Sequence, residues 1–213
     1  NKLKDIKILV SAGGTKEPID SVRYIGNRSS GKMGHLIAEE GLMRGADVTL
    51  ISSSDLITSS KINKISVETA EEMASEIKTR IEETDCIIMA AAVSDFTPVI
   101  KVGKKIKKQP GKNLELNLKQ TPDILKSIEK NNCIKVGFAA ETENHLNNGV
   151  DKLKAKNLDM VVINDVSSKE IGFESDYNQV KMITKHGNIS STEIEPKRVI
   201  AGKILDELSK IIK

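Results

Sequence analysis

Aromatic residues are nearly missing from this chain: no Trp, two Tyr and three Phe among 213 residues. Proteins that read single-stranded nucleic acid stack successive bases on aromatic faces, so the composition argues against such a platform. Cysteine is also scarce. Cys86 and Cys133 each sit beside aliphatic runs, CIIMAAAV and CIKVGF, with no second Cys or His at metal-ligand spacing. Both read as small buried hydrophobes, which speaks against a disulfide framework or a zinc module. His35, His145 and His186 fall on three separate segments and signal neither a metal site nor a Ser-His-Asp triad. No apolar run approaches the roughly 18 residues of a membrane span. The opening NKLKDIK leads straight into an aliphatic run, without the apolar stretch of a secretory leader, and a cytoplasmic protein is the expectation.

What is present is a regular alternation. Short aliphatic runs (IKILV, VTLIS, CIIMAAAV, LELNL, IKVGFAA, DMVVI) are separated by helical patterns over residues 31–44, 70–83, 122–130 and 144–156. Strands buried on both faces and joined by helices imply a Rossmann-like, doubly wound α/β fold with a mainly parallel sheet and helices on both faces. After residue 165 the segment NQVKMITKHGNISSTEIE alternates around His186-Gly187-Asn188 and predicts a C-terminal β-hairpin. A last helix starts at Pro196, with Ile200, Ile204, Leu205, Leu208 and Ile211 on one face. No repeat or Pro/Gly/Ser-rich linker divides the chain, so residues 1–213 read as a single domain.

In such sheets ligands bind beyond the carboxyl ends of the strands, where loops meet helix N-termini. The first of these loops contains GNRSSGKMG, residues 26–34, close to the G-x-x-x-x-G-K-[ST] phosphate loop. Met33 stands where the Mg²⁺-binding hydroxyl belongs, and the strand-like IKILV ends well upstream, so the P-loop reading fails. Gly13 and Gly14 permit close backbone approach, and Ser29, Ser30 and Gly31 open a helix; together they suit an anion. The bland alternative is a tight turn followed by an ordinary Ser cap. Small residues Ala90, Ala91 and Ala92 leave room for a flat group, and Asp95 just beyond suits a ribose; the alternative is a core strand ending in an Asx turn. Residues 101–112, KVGKKIKKQPGK, hold six lysines although the net charge is only +3. Lys105, Lys107 and Lys108 suit phosphate charge in nucleotidyl transfer, and the alternative is a solvated loop. Several weak anion signals fall on one predicted sheet edge, which favours the functional reading.

Seven motifs then stand in order: GGTKEPIDSVRYIGNRSSGKMG, AAAVSDF, KKIKKQ, TPDIL, VGFAAET, KAKNLD and NDVSSKEIGFESDYNQV. Together they resemble phosphopantothenoylcysteine synthetase, which in bacteria and archaea is commonly the C-terminal half of a bifunctional coenzyme A biosynthesis protein. The resemblance implies a ligase that joins 4'-phosphopantothenate to L-cysteine through an acyl nucleotide, with Mg²⁺ accompanying the triphosphate. It implies catalytic roles for Asn27, on the acyl nucleotide, and for Lys105, on charge in the first half-reaction. Met89, Ala90, Ala91, Asp95, Pro122, Asp123, Ile124, Leu125, Phe138, Lys152 and Lys156 match nucleotide-contacting positions. Arg23 matches an Arg reaching phosphopantothenate across a homodimer interface, and Ala92 joins Arg23 and Asn27 on the substrate side. The K-x-K-K run at 105–108 resembles the CTP-using type. The metal ligands are not implied. A flavin-dependent phosphopantothenoylcysteine decarboxylase domain is the expected fused or associated partner, and the chain reads as an excised domain or a monofunctional relative. No nucleic acid or membrane partner is expected.

Two other classes compete. A nicotinamide-dependent short-chain reductase wants Tyr-x-x-x-Lys; Tyr24 has Arg28 four residues on, and Tyr177 has Lys181, but within the alternating segment that reads as a hairpin. A non-catalytic nucleotide- or RNA-binding module would use the lysine run alone and bind with steep salt dependence. A run of six lysines also repels itself, so mobility before the triphosphate arrives is expected.

Overall fold

The computed structural model describes residues 3–108, 110–111, 113–129, 132–141, 145–165 and 175–212. Gln109 and Lys112 of the lysine run, and the motif segments at 142–144 and 166–174, lie outside the described residues.

The first strand, β1 (Lys7–Ala12), is buried from Ile8 onward. A short hairpin of β2 (Lys16–Pro18) and β3 (Tyr24–Gly26) follows, then helix α1 (Lys32–Met43). Gly31 stands at the α1 N-cap in the left-handed region, φ 80°, and Ser30 Oγ accepts from the Lys32 amide of the first turn at 3.4 Å. A residue with a Cβ rarely adopts that conformation, so Gly31, rather than Ser30, turns the chain into the helix. Strands β4 (Asp47–Ser52) and β5 (Asn63–Ser66) lead to α2 (Ala70–Arg80), which opens on a capping box between Thr69 and Glu72. Strand β6 (Cys86–Met89) is fully buried, and β7 (Phe96–Pro98) pairs with β8 (Leu118–Gln120) away from the main sheet. Next come β9 (Ile134–Glu141), α3 (His145–Ala155) and β10 (Met160–Asp165). The end of the chain adds β11 (Tyr177–Asn178), β12 (Val180–Thr184), β13 (Ile189–Ser191), β14 (Glu195–Pro196) and α4 (Lys197–Ile211).

Eight strands form one sheet in the order β13-β12-β10-β9-β6-β1-β4-β5. Six are parallel, and counted in chain order they lie 3-2-1-4-5-6 across the sheet. The order reverses between β1 and β6, which is where this fold type opens its ligand crevice. Alternate side chains go to opposite faces. Ile8, Val10, Ile88, Val136 and Val162 pack with Ile37 of α1 and Ile200, Ile204 and Leu208 of α4. Leu9, Ile87, Met89, Val161 and Ile163 pack with Met73 and Ile77 of α2 and with Ile124, Leu125 and Ile128.

Two expectations change. The described residues 122–129 of the expected helix 122–130 are not helical: a turn spans 124–127. There Asp123 Oδ1 accepts from the Lys126 amide and Ser127 Oγ donates to the Ile124 carbonyl, at 3.1 and 2.7 Å. Such local bonds compete with helix propagation. LELNL does not join the main sheet; Leu114, Leu116 and Leu118 all remain at least 38% exposed. The predicted hairpin at 180–191 is present, and its β12 pairs antiparallel with β10 and extends the main sheet.

Candidate active site

Three loops meet at the β1/β6 reversal. The loop after β1 is zipped to the loop after β6: Ala92 N–H donates to Gly13 O at 2.8 Å and Thr15 N–H to Ala92 O at 3.3 Å. The loop after β3 joins them through Asn27, whose Nδ2 donates to the carbonyls of Ala92 and Val93 at 3.3 and 3.1 Å. Asn27 sits this close because Gly14 has no side chain; a Cβ there would lie 2.5 Å from the Asn27 carbonyl oxygen. Hydroxyls brace the junction. Ser53 Oγ donates to Gly14 O at 2.9 Å, Ser54 Oγ to Ser30 O at 2.9 Å, and Ser11 Oγ accepts from Ala91 N–H at 3.1 Å. Thr15 Oγ1 accepts from Ser94 N–H at 2.9 Å, and Thr121 Oγ1 donates to Ser94 O at 2.6 Å.

Two hollows flank the junction. The larger, about 1000 Å³, runs along the carboxyl rim of the sheet. Its walls include Asn27, Ser29, Ser30, Gly31, Met89, Ala90, Ala91, Ala92, Asp95, Pro122, Asp123, Ile124, Leu125, Phe138, Lys152 and Lys156. All of these are residues that the sequence singled out. The smaller, about 210 Å³, is bounded by Gly14, Tyr24, Asn27, Ser29, Ser53 and Ser54. Asn27 and Ser29 belong to both and form the partition between them. A third hollow of about 620 Å³ is lined by residues 55–64 alone, the loop after β4 and the start of β5.

The α3 side of the large cleft is cationic and fixed. Lys152 Nζ donates to the Phe138 carbonyl at 2.6 Å, and Lys156 pairs with Asp123. Burial pushes the Asp123 carboxyl up, but the Lys156 ammonium and the Lys126 amide outweigh it and hold it below the usual carboxylate range. Gly13, Arg23 and Lys105 are not in the cleft walls. Gly13 turns the chain after β1 at φ 89°. Arg23 is bound to Asp20 and to the Ile106 carbonyl, and Lys105 is exposed beside it.

The far end of the cleft was not read from the sequence. There Lys32, Lys197, Asn164 and Asn178 line the wall. Lys32 pairs with Asp176 at 2.7 Å. Lys197 is only 4% exposed, and burial, with repulsion from Lys32, holds its ammonium below the ordinary lysine range. The available signal was that Lys32 and Lys197 are the first residues of two helices, but only the sheet order brings those helices together. No group of three or more His, Cys, Asp or Glu that could hold a metal occurs among the described residues. No described helix is long and apolar enough to cross a membrane.

A mainly parallel sheet whose parallel strands lie 3-2-1-4-5-6, with a partly apolar, lysine-lined cleft at its reversal, defines a Rossmann-like α/β domain with a candidate ligand site at the rim. The chain belongs to the family of the DNA/pantothenate metabolism flavoprotein C-terminal domain, whose model matches residues 3–212. It is 39% identical over 211 residues to a cysteine/cysteine sulfinic acid decarboxylase of an unknown prokaryotic organism, covering 97% of this chain and 58% of that one. It is 39% identical over 210 residues to the coenzyme A biosynthesis bifunctional protein CoaBC of Bacillus subtilis (strain 168), covering 97% of this chain and 52% of that one. The chain therefore spans about half the length of these relatives. The crystal structure of the C-terminal domain of coenzyme A biosynthesis bifunctional protein CoaBC superposes with a TM-score of 0.85 at 33% identity, covering 99% of this chain and 97% of that one.

Proposed function

We propose that this domain is a phosphopantothenate–cysteine ligase of coenzyme A biosynthesis that uses CTP. The observation that carries the reading is the partition: Asn27 and Ser29 stand between a cleft of nucleotide size and a smaller hollow. A nucleotide in the large cleft and an acid reaching in from the small one would meet at Asn27. The carboxylate oxygen of 4'-phosphopantothenate attacks the α-phosphorus of the triphosphate, and pyrophosphate leaves with the electron pair of the broken P–O bond. The amine of L-cysteine then attacks the acyl carbonyl, and the nucleoside monophosphate leaves with the electron pair of the acyl C–O bond while the amine loses a proton. An amide N–H of Asn27, released from the long 3.3 Å bond to the Ala92 carbonyl, would stabilise the oxyanion as it forms. Lys152 and Lys156 offset nucleotide charge, and Ala90, Ala91 and Phe138 leave a flat slot for the base.

Mg²⁺ is expected to travel with the triphosphate. Asp95 and Asp123 are the carboxylates in the cleft walls, which suits an ion usually held by one or two carboxylates together with substrate phosphates. Such an ion would neutralise charge on the departing phosphates. Choice of CTP over ATP rests on the K-x-K-K run. Arg23 and Lys105, outside the cleft of their own chain, would serve the cleft of a twofold-related copy. The exposed apolar residues Val22, Phe96, Val99, Ile100 and Leu118 on this side of the fold support a homodimer. A flavin-dependent decarboxylase is the expected fused or associated partner, because the CoaBC relative is named as bifunctional.

The test is pyrophosphate release from Mg-CTP. It should require phosphopantothenate, and the amide should form only when cysteine is added. Lys105→Gln should slow pyrophosphate release about 100-fold, the scale on which loss of one preorganised charge acts. Release that ignores phosphopantothenate, or steep salt-dependent RNA binding in its place, would overturn the assignment.

A further inference from the structure

Asp20 sits on the turn between β2 and β3, yet it is only 5% exposed. Its Oδ1 accepts from the backbone amides of Val22 and Arg23, each at 2.9 Å. Its Oδ2 accepts from Arg23 Nε and Nη2 at 3.0 and 2.5 Å and from the backbone amide of Ile106 at 3.1 Å. Ile106 lies 86 residues along the chain, between Lys105 and Lys107. Its carbonyl is taken as well, by Arg23 Nη2 at 3.0 Å. Both polar atoms of the Ile106 backbone are thus bound by one turn. A second tie, Val102 N–H to Ile19 O at 3.2 Å, fixes the root of the lysine run to the same turn. The Arg23 guanidinium outweighs burial and, with the Ile106 amide, holds the Asp20 carboxyl well below the usual carboxylate range.

We propose that Asp20 is a positioning residue for catalysis: it joins Arg23 and the Lys104–Lys108 run into one body, so that Lys105 and Arg23 arrive at substrate in fixed register. A lysine run that repels itself would otherwise sample many arrangements, and preorganisation of charge is what makes it useful in a transition state. Asp20 touches neither nucleotide nor acid in this scheme. Its effect passes through the backbone of Ile106 and the guanidinium of Arg23.

The inference rests on the ligase reading for its kinetic consequence, and the test separates the two. Asp20→Asn keeps the size of the side chain but removes the charge that binds Arg23. Without ligand, trypsin cleavage after Lys107 and Lys108 should become about tenfold faster, because protection follows local stability. Pyrophosphate release should fall 10- to 100-fold, mostly in kcat. In a Lys105→Gln background, Asp20→Asn should cause a much smaller further loss, the part that passes through Arg23, since residues acting as one unit are not additive. A residue that merely stabilises the fold would lower the melting point and add its loss to that of Lys105→Gln. Ile106→Pro, which removes the amide that Asp20 binds and leaves the turn intact, should likewise hasten cleavage after Lys107 and slow release. An unchanged trypsin rate in both variants, or an additive double mutant, overturns the proposal. Faster cleavage in variants of a protein that never releases pyrophosphate supports the tie between turn and lysine run and counts against the ligase reading alone.

Discussion

The side-chain amide of Asn27 donates to the main-chain carbonyl of Val93 at 3.1 Å, and so ties the loop that opens α1 to the loop that ends β6. Asn27 is exposed and carries no core packing, so its cost on removal should be chemical. Asn27→Asp replaces an N–H donor by oxygens facing two carbonyls. Amide formation should fall about 100- to 1000-fold, as for loss of an oxyanion donor, while pyrophosphate release falls less. The melting temperature should move by no more than about 2 °C, the lower end of what 1 kcal/mol costs a domain this size. Wild-type amide yield in a quenched assay would remove Asn27 from the mechanism.

Gly14→Ala should mimic that loss without touching Asn27. The new Cβ would sit 2.5 Å from the Asn27 carbonyl and 3.5 Å from Ser29 Cβ, so the partition must move. A displacement of about 1 Å near reacting groups is enough to cost roughly 100-fold in rate. Turnover should drop on that scale while nucleotide binding in the large cleft, read by thermal shift, changes little. Full activity in Gly14→Ala would show that the partition is not where the chemistry occurs.

Lys156 offers a test of the nucleotide end. It pairs with Asp123 and lines the cleft. Lys156→Met should raise the KM for the triphosphate about tenfold, or roughly 1.4 kcal/mol, with kcat nearly unchanged. That split is the mark of uniform binding. The same variant releases Asp123, whose carboxyl should titrate closer to its ordinary range by NMR. A loss confined to kcat would instead place Lys156 at the reacting phosphorus.

The doubly wound sheet was legible because its strands are nearly continuous aliphatic runs, such as CIIM and DMVVI, separated by helical periodicity. Strand β5, NKIS, was not, because half of it is exposed and no run marks it. LELNL misled for the opposite reason: alternation describes a strand with one apolar face, and Leu114 and Leu116 leave that face uncovered within the chain. At the site, Asp95 was legible from its own chemistry and Asn27, Lys152 and Lys156 only through the resemblance of their motifs, and the fold brings all four to one cleft. The struts were not. Ser11, Thr15, Ser53 and Thr121 look like ordinary hydroxyls until strand order places them against loops up to 80 residues away. The same applies to Asp20, whose partner Ile106 lies far along the chain.

His35 gives the fold a pH dependence that can be measured apart from activity. It is 4% exposed beneath α1, and its Nε2 lies 2.9 Å from Ser52 Oγ. Burial, with Lys64 nearby, pushes its pKa down to about 4 from an ordinary 6.5. The folded state therefore prefers the neutral ring. Stability from this source is fully present above about pH 6.5, shrinks as the unfolded chain begins to bind the proton, and is gone once pH falls through about 4. At about 1.4 kcal/mol per tenfold, the span amounts to an upper figure of roughly 3 kcal/mol. Urea midpoints measured from pH 7.5 to 4.5 should fall steeply for the wild-type protein. His35→Gln, uncharged throughout, should be less stable at pH 7.5 but show a shallower slope, leaving the carboxylates and the other two histidines as the groups that titrate. Parallel slopes for the two proteins would mean that His35 takes up its proton over the same pH range in the folded and unfolded chains, and the buried environment assigned to it would be wrong.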